Sequence, residues 1–294
     1  MAIKLYTKQY AGILPNLFEK KAKFLRAFGG TIQIKDGISQ KDKFLELKTS
    51  DTDVVIQEYS TDENVAFGTG TGNSSRFGPR KEVKSVDTNV PYEAPLSINE
   101  GLDDFTVNDI PDQVVAERLA LHGVAWAQYV DNLLGKALSD NASETLTGEL
   151  TEAGVTKLFA DAHKKFVNND VSENIEHVAY VDTNVYDFLV DNKLATTAKN
   201  STTNIDDQKI YRFKGFFLEE LPDAKFQTGE NAIFAADNVG VAGIGIQVAR
   251  AMDSEDFAGT ALQAAAKYGK YIPSNNKKAI LKAKLTAPVE IPEG

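Results

Sequence analysis

The clearest periodicity in the chain runs through 109–140, DIPDQVVAERLALHGVAWAQYVDNLLGKALSD. Val115, Leu119, Trp126, Val130, Leu133 and Ala137 share one helical face, and Asp109 with Pro111 marks the start. A helix of about 28 residues would be roughly 42 Å long. Gly123 and Gly135 lower its intrinsic propensity and point to close approach by a neighbour. Three shorter stretches also read as helices. Residues 15–28 repeat Leu17, Phe18, Phe24, Leu25 and Phe28 and stop at Gly29 and Gly30. Residues 151–167 are led by Thr151, and 182–192 are capped by Asp182.

Strand signals occupy 31–34, 43–47, 54–67, 81–98, 177–181, 209–221, 231–236, 241–248 and 277–287. DSEDF (253–257) reads as an acidic turn or helix, and 199–208 as a polar loop. Residues 261–272 are ambiguous: the alanines favour a helix and the final aromatics a strand. Helices and strands are unevenly segregated and no fixed period repeats, so the predicted class is α+β.

The segments 54–67 and 81–98 flank FGTGTGNSSRFGP (67–79), a run too rich in Gly, Ser and Thr to hold a helix or build a core. Together they predict a long β-hairpin with a pliable end. Arms of thirteen residues at 3.3 Å each would reach about 40 Å. An open hairpin of that length is marginal by itself and exposes its edges, so it is expected to be received by another subunit. Phe67 and Phe77 are the candidate anchors. Arg76, Arg80, Lys81 and Lys84 oppose only Glu82 there, which gives a basic tip.

Composition narrows the function. The 294 residues carry a net charge of −10, which argues against a broad nucleic-acid-gripping face. Residues 1–50 nevertheless hold ten Lys/Arg against four Asp/Glu, a net of +6 that leaves −16 on the remainder. Lys20, Lys21, Lys23 and Arg26 are the candidate docking residues of this basic arm, on an acidic body that a second copy would also present. No apolar run is long enough for a membrane helix, and the start lacks the pattern of a signal peptide, so no membrane partner is expected. There is no Cys, hence no disulfide framework or thiolate chemistry.

No catalytic constellation emerges. His122, His163 and His177 share no metal-ligand spacing; His122 on the long helix reads as packing and His163 as solvated. Neither GTGTG (68–72) nor GVAGIGIQV (240–248) opens a helix that could receive phosphate. The carboxylate pairs Asp103/Asp104, Asp206/Asp207, Glu219/Glu220 and Glu255/Asp256 read as solvated turns. Catalytic, cofactor and metal residues are therefore expected to be none, and an enzyme is not the expected reading.

A basic N-terminal arm, a long hairpin with a pliable tip, a long helix, and the succession HVAYVDTNVYDFLVDN then KGFFLEELPDA resemble, in that order, the major capsid protein of tailed bacteriophages, the Hong-Kong-type capsid fold. The resemblance spans nearly the whole chain but is one of order and pattern. It implies an N-terminal arm at 1–50, an extended loop (E-loop) at 51–98 and a P-domain with a spine helix at 99–150. It further implies an A-domain at 151–267 and a return to the P-domain at 268–294. On it, 262–272 is expected to be a strand. It also implies self-assembly into hexamers and pentamers of an icosahedral shell around double-stranded DNA, made in the host cytoplasm. A portal and, since no long segment precedes the arm, a separate scaffolding protein are implied as partners. Glycines at the tip would let it conform to slightly different neighbours. The alternatives are an encapsulin-like compartment shell, which shares the fold, or another virion protein such as a tail-tube or decoration protein.

Overall fold

The computed structural model describes residues 3–5, 14, 22–39, 41–49, 54–63, 65–67, 75–106, 111–191 and 212–287. The chain divides into two compact units, Met1–Asp42 with Tyr92–Gly294, and Lys43–Pro91. The glycine-rich run 68–74, the polar loop 199–208, Asp109, Lys20 and Lys21 lie outside the described residues.

With elements numbered along the chain, the larger unit holds two sheets. The first is built on a long antiparallel pair, β11 (Val241–Asp253) and β12 (Gly259–Tyr271). On the outer edge of β11, β1 (Ile3–Leu5) pairs antiparallel and β2 (Gln33–Asp36) pairs parallel. On the other side, β5 (Leu96–Asp103) pairs antiparallel with β12. The second sheet runs in the order β6 (Glu144–Glu149), β13 (Ile280–Thr286), β10 (Ala232–Ala236), β7 (His177–Val181), β9 (Phe216–Glu220), β8 (Arg212–Phe213). Its central strands β7 and β10 are buried along nearly their whole length, which explains why both read as uninterrupted apolar runs.

Helix α1 (Pro111–Asp140) is the long helix, and Pro111 occupies its first position. Trp126, Ala127, Val130, Leu134, Ala137 and Leu138 enter the main core, while Val115 joins Ala251 and Leu262 in a smaller cluster. Leu134, rather than the expected Leu133, is the fully buried leucine of that turn. The expected close approach is real at Gly135: a Cβ there would meet the Phe24 ring at 2.5 Å. Phe24 belongs to a 3-10 turn, Phe24–Phe28, that ends at Gly29 with φ 87°. Helix α2 (Glu152–Asn168) begins with the Thr151 side chain accepting from Gly154 N at 3.1 Å. Its Phe159 and Phe166 pack edge-on against Phe216, and Phe159 also against Phe234, with centroids 5.1–6.1 Å apart. Helix α3 (Thr183–Asp191) is capped as expected, Val185 N donating to Asp182 Oδ1 at 2.8 Å.

Three expectations change. Residues 54–67 form no strand among their described positions; the hairpin pairs β3 (Lys43–Thr49) with β4 (Val86–Pro91) instead. A strand needs a face to bury, and 54–59 are exposed at every position. The expected strand 81–98 breaks between Pro91 and Leu96: β4 belongs to the smaller unit and β5 to the larger, where Glu93 N donates to Tyr268 O at 2.9 Å. The expected strand 209–221 folds as a hairpin, β8 to β9, because Lys214 (φ 44°) and Gly215 (φ 90°) both take left-handed backbone, the geometry of a tight two-residue turn. Asp253 ends β11 and 254–258 form the turn to β12, and the alanine-rich 261–272 is strand for all but its last residue. The boundary expected at 267/268 falls inside β12, and β13 lies within the six-stranded sheet, between β6 and β10.

Candidate intersubunit surfaces

Beyond the β3–β4 ladder, the smaller unit is held by side chains gripping backbone. Arg76 donates from Nε to Val65 O at 3.0 Å and from Nη2 to Asp62 O at 3.2 Å, and its guanidinium lies 5.0 Å from the centre of the Phe67 ring. Ser60 N donates to Arg76 O at 3.0 Å. Gln57 Nε2 donates to Pro79 O at 3.1 Å, and Tyr59 meets the Phe77 ring edge-on at 5.1 Å. Of the candidate tip residues, Arg76 is thus spent on folding the tip itself. Phe67 (68% exposed), Phe77 (74%), Arg80, Lys81 and Lys84 face solvent, with Lys84 beside Glu82 at 3.5 Å.

The same unit displays an unusual amount of apolar surface. Eight of the thirteen exposed large hydrophobic side chains among the described residues lie between Val54 and Val86. Val54, Val55, Tyr59, Phe77 and Val83 line a groove of about 900 Å³ together with Arg80 and Lys81. Concentrated exposed apolar surface rimmed by charge makes this a candidate binding face.

The basic residues near the N-terminus behave differently. Lys23 pairs with Glu219 at 3.0 Å. Arg26 pairs with Asp237 at 2.9 Å and Glu176 at 2.8 Å. The guanidinium groups of Arg26 and Arg212 lie 4.3 and 3.7 Å from the centre of the Phe217 ring, and Arg212 also reaches Glu176 at 3.2 Å. Partial burial pulls the Arg26 pKa down, but its hydrogen bond to Asp237 and the charges of Asp237 and Glu176 outweigh this and hold it above the ordinary value. Both described arm residues are therefore engaged inside their own chain.

Helix α1 is fastened by three polar clamps that periodicity alone did not reveal. Asp131, fully buried, accepts from Phe24 N at 2.8 Å and pairs with Lys225. Burial pushes its carboxyl upward, against the opposing pull of Lys225 and the Phe24 N–H. Glu230, also buried, takes a hydrogen bond from Ser139 Oγ at 2.6 Å and pairs with Lys282 of β13 at 3.0 Å. Glu100 of β5 pairs with Arg118 and accepts from His122 Nε2 at 2.9 Å. The Arg118 hydrogen bond holds the Glu100 carboxyl below the usual range, despite partial burial. His122 is thus packed, as its helical position implied, and hydrogen-bonded as well. The signal for Asp131 was present in the sequence: it sits four residues after Ala127 and three before Leu134, both buried.

These groups fasten elements together; they do not converge on an open cleft. Among the described residues, no three His, Asp or Glu side chains gather to hold a metal ion, and no helix is long and apolar enough to cross a membrane.

No protein-family model and no curated protein matches the sequence. Solved structures do match the fold. A chain of Mycobacterium phage Che8 superimposes with a TM-score of 0.58 at 17% identity, over 83% of this chain and 85% of that one. The mature capsid of bacteriophage PhiM1 gives 0.61 at 13% identity, over 92% and 88%. The capsid of the cyanophage P-SCSP1u gives 0.59 at 12% identity, over 87% of each. At such identities the likeness is one of architecture, and the α+β architecture of this chain is the fold of phage capsid chains.

Proposed function

We propose that this chain is a structural major capsid protein that self-assembles into the icosahedral shell of a tailed phage. The observation that carries the reading is end-to-end likeness in both directions: the PhiM1 match spans 92% of this chain and 88% of the capsid chain. The exposed apolar face of Lys43–Pro91 supports it, because a shell is built from repeated, individually modest contacts between near-equivalent copies.

On this reading the smaller unit is the extended loop. The five-stranded sheet with α1 corresponds to the P-domain and spine helix, and the six-stranded sheet to the A-domain, which shifts 241–267 out of the expected A-domain and brings 144–149 and 280–286 into it. Phe67, Phe77, Arg80, Lys81 and Lys84 contact a neighbouring copy. Lys23 and Arg26, already paired at home, anchor the arm to its own body. A separate scaffolding protein, a portal and packaged double-stranded DNA complete the partners, with assembly in the host cytoplasm.

Electron microscopy of the purified full-length chain, with and without co-expressed scaffold, tests the reading. Closed shells or hexameric and pentameric capsomers are expected. A chain that stays monomeric or dimeric under every such condition rejects it. Nuclease-protected DNA inside particles, as opposed to a captured enzyme, separates a phage head from a compartment shell.

A further inference from the structure

We infer that the smaller units of two copies pair with each other about a two-fold axis, the acidic arm of each lying against the basic arm of the other. The inference rests on the shell-building reading and names the partner of its exposed face.

The two arms carry opposite charge. Residues 54–63 hold Glu58, Asp62 and Glu63 and no Lys or Arg, whereas 75–84 hold Arg76, Arg80, Lys81 and Lys84 against Glu82 alone. Both arms border the same groove. Yet the two sets of side chains do not neutralise each other within the chain. Glu58, Glu63, Arg80 and Lys81 are exposed and have no ion-pair partner among the described residues, and Arg76 reaches the Asp62 carbonyl, not its carboxylate.

The main chain shows the same incompleteness. Among the described residues, the one backbone hydrogen bond joining the arms beyond the β3–β4 ladder is Ser60 N to Arg76 O. No described residue supplies a backbone hydrogen bond to 54–58 or 80–85, segments whose apolar side chains Val54, Val55, Ile56 and Val83 are exposed as well. Open edges with apolar side chains are templates for pairing with another chain. A two-fold axis satisfies every part of this surface at once. It sets acidic arm against basic arm twice, groove against groove, and edge against edge, with one sequence serving as both partners. An acidic or a basic partner of another kind would satisfy one arm and repel the other.

Two double variants test the pairing in the full-length chain. R80E/K81E makes both arms acidic, and E58K/E63K makes both basic. Because all four side chains are exposed and unpaired, each variant should melt like the wild type. Each alone should lose self-association about tenfold or more, since several repeated ion pairs change sign. An equimolar mixture should co-assemble, with both chains found in the same particles by mass spectrometry. If E58K/E63K alone assembles like the wild type, the basic arm docks on an acidic surface elsewhere and the pairing is wrong. If mixing fails to restore assembly while the wild type assembles, the pairing is wrong and the shell reading stands. A wild-type chain that never associates overturns both. Should a reversal variant melt early, the neutral pair R80Q/K81Q and E58Q/E63Q replaces it; each should then weaken association and flatten its salt dependence. Unchanged salt dependence in these neutral variants also rejects the pairing.

Discussion

In the six-stranded sheet and its helix α2, Phe159, Phe166, Phe216 and Phe234 are fully buried against one another. In the smaller unit, Val54, Ile56, Phe67, Phe77 and Val83 turn most of their surface to solvent. The two regions use similar residue types for opposite ends. The body folds for itself, with aromatic rings in edge contact and three buried or half-buried polar clamps fixing the long helix. The smaller unit has a short ladder and a few side-chain grips on backbone, which define its shape while leaving its apolar surface uncovered. On the proposed reading, stability belongs to the first region and association to the second.

That contrast can be broken most severely in the body. Phe216→Ala removes a ring at the centre of the cluster and should cost about 3–5 kcal/mol of folding stability by urea titration. A loss under 1 kcal/mol would mean the cluster is not the body's core. Lys225→Met leaves Asp131 ionised, buried and unpaired, and should cost about 3 kcal/mol near neutral pH. The loss should shrink as the pH falls, because protonating Asp131 removes the stranded charge and burial already raises its pKa. Gly135→Ala drives a methyl group into the Phe24 ring and should cost about 1–3 kcal/mol. Protease should then reach the segment around Phe24 sooner.

Glu100→Gln is milder, about 1 kcal/mol near neutral pH. Its cost also shrinks in acid, but for a different reason from that of Lys225→Met. A carboxyl held below its ordinary range stabilises the fold fully above that range and loses the contribution as pH falls through its folded-state value. Wild type and variant should therefore converge in acid. A gap that stays constant would show that Gln disturbs packing and that the ion pair contributes little. Smallest for folding is the pair Phe67→Ser with Phe77→Ser: exposed rings should change melting by about 0.5 kcal/mol or less. Particle stability should nonetheless drop, with little salt dependence, because the loss is apolar. Unchanged particles would remove these two rings from the interface.

Much of the architecture followed from pattern. The long helix, the caps at Thr151 and Asp182, strands 177–181 and 231–236, and the order of elements are local properties, and local propensity and period decided them. The tip residues were legible as exposed because a glycine-rich run cannot build a core. Other features were decided at a distance. Residues 54–59 alternate loosely like a strand, but among the described residues no strand pairs with them and all six positions stay exposed, so the ladder forms at Lys43–Thr49 and Val86–Pro91 instead. The alanines of 261–266 favour a helix, yet they form the middle of a sheet because β11 and β5 supply hydrogen bonds on both edges and Leu262, Ala264 and Ala266 alternate into the cores beneath. Arg26 and Lys23 looked free because their carboxylate partners lie more than a hundred residues away along the chain. The charge of every residue is fixed by the sequence, but whether a charge is matched at home or left for a neighbour depends on which distant segments the fold brings beside it. That is why Lys23 and Arg26 find partners in their own chain while Arg80 and Lys81 have none among the described residues.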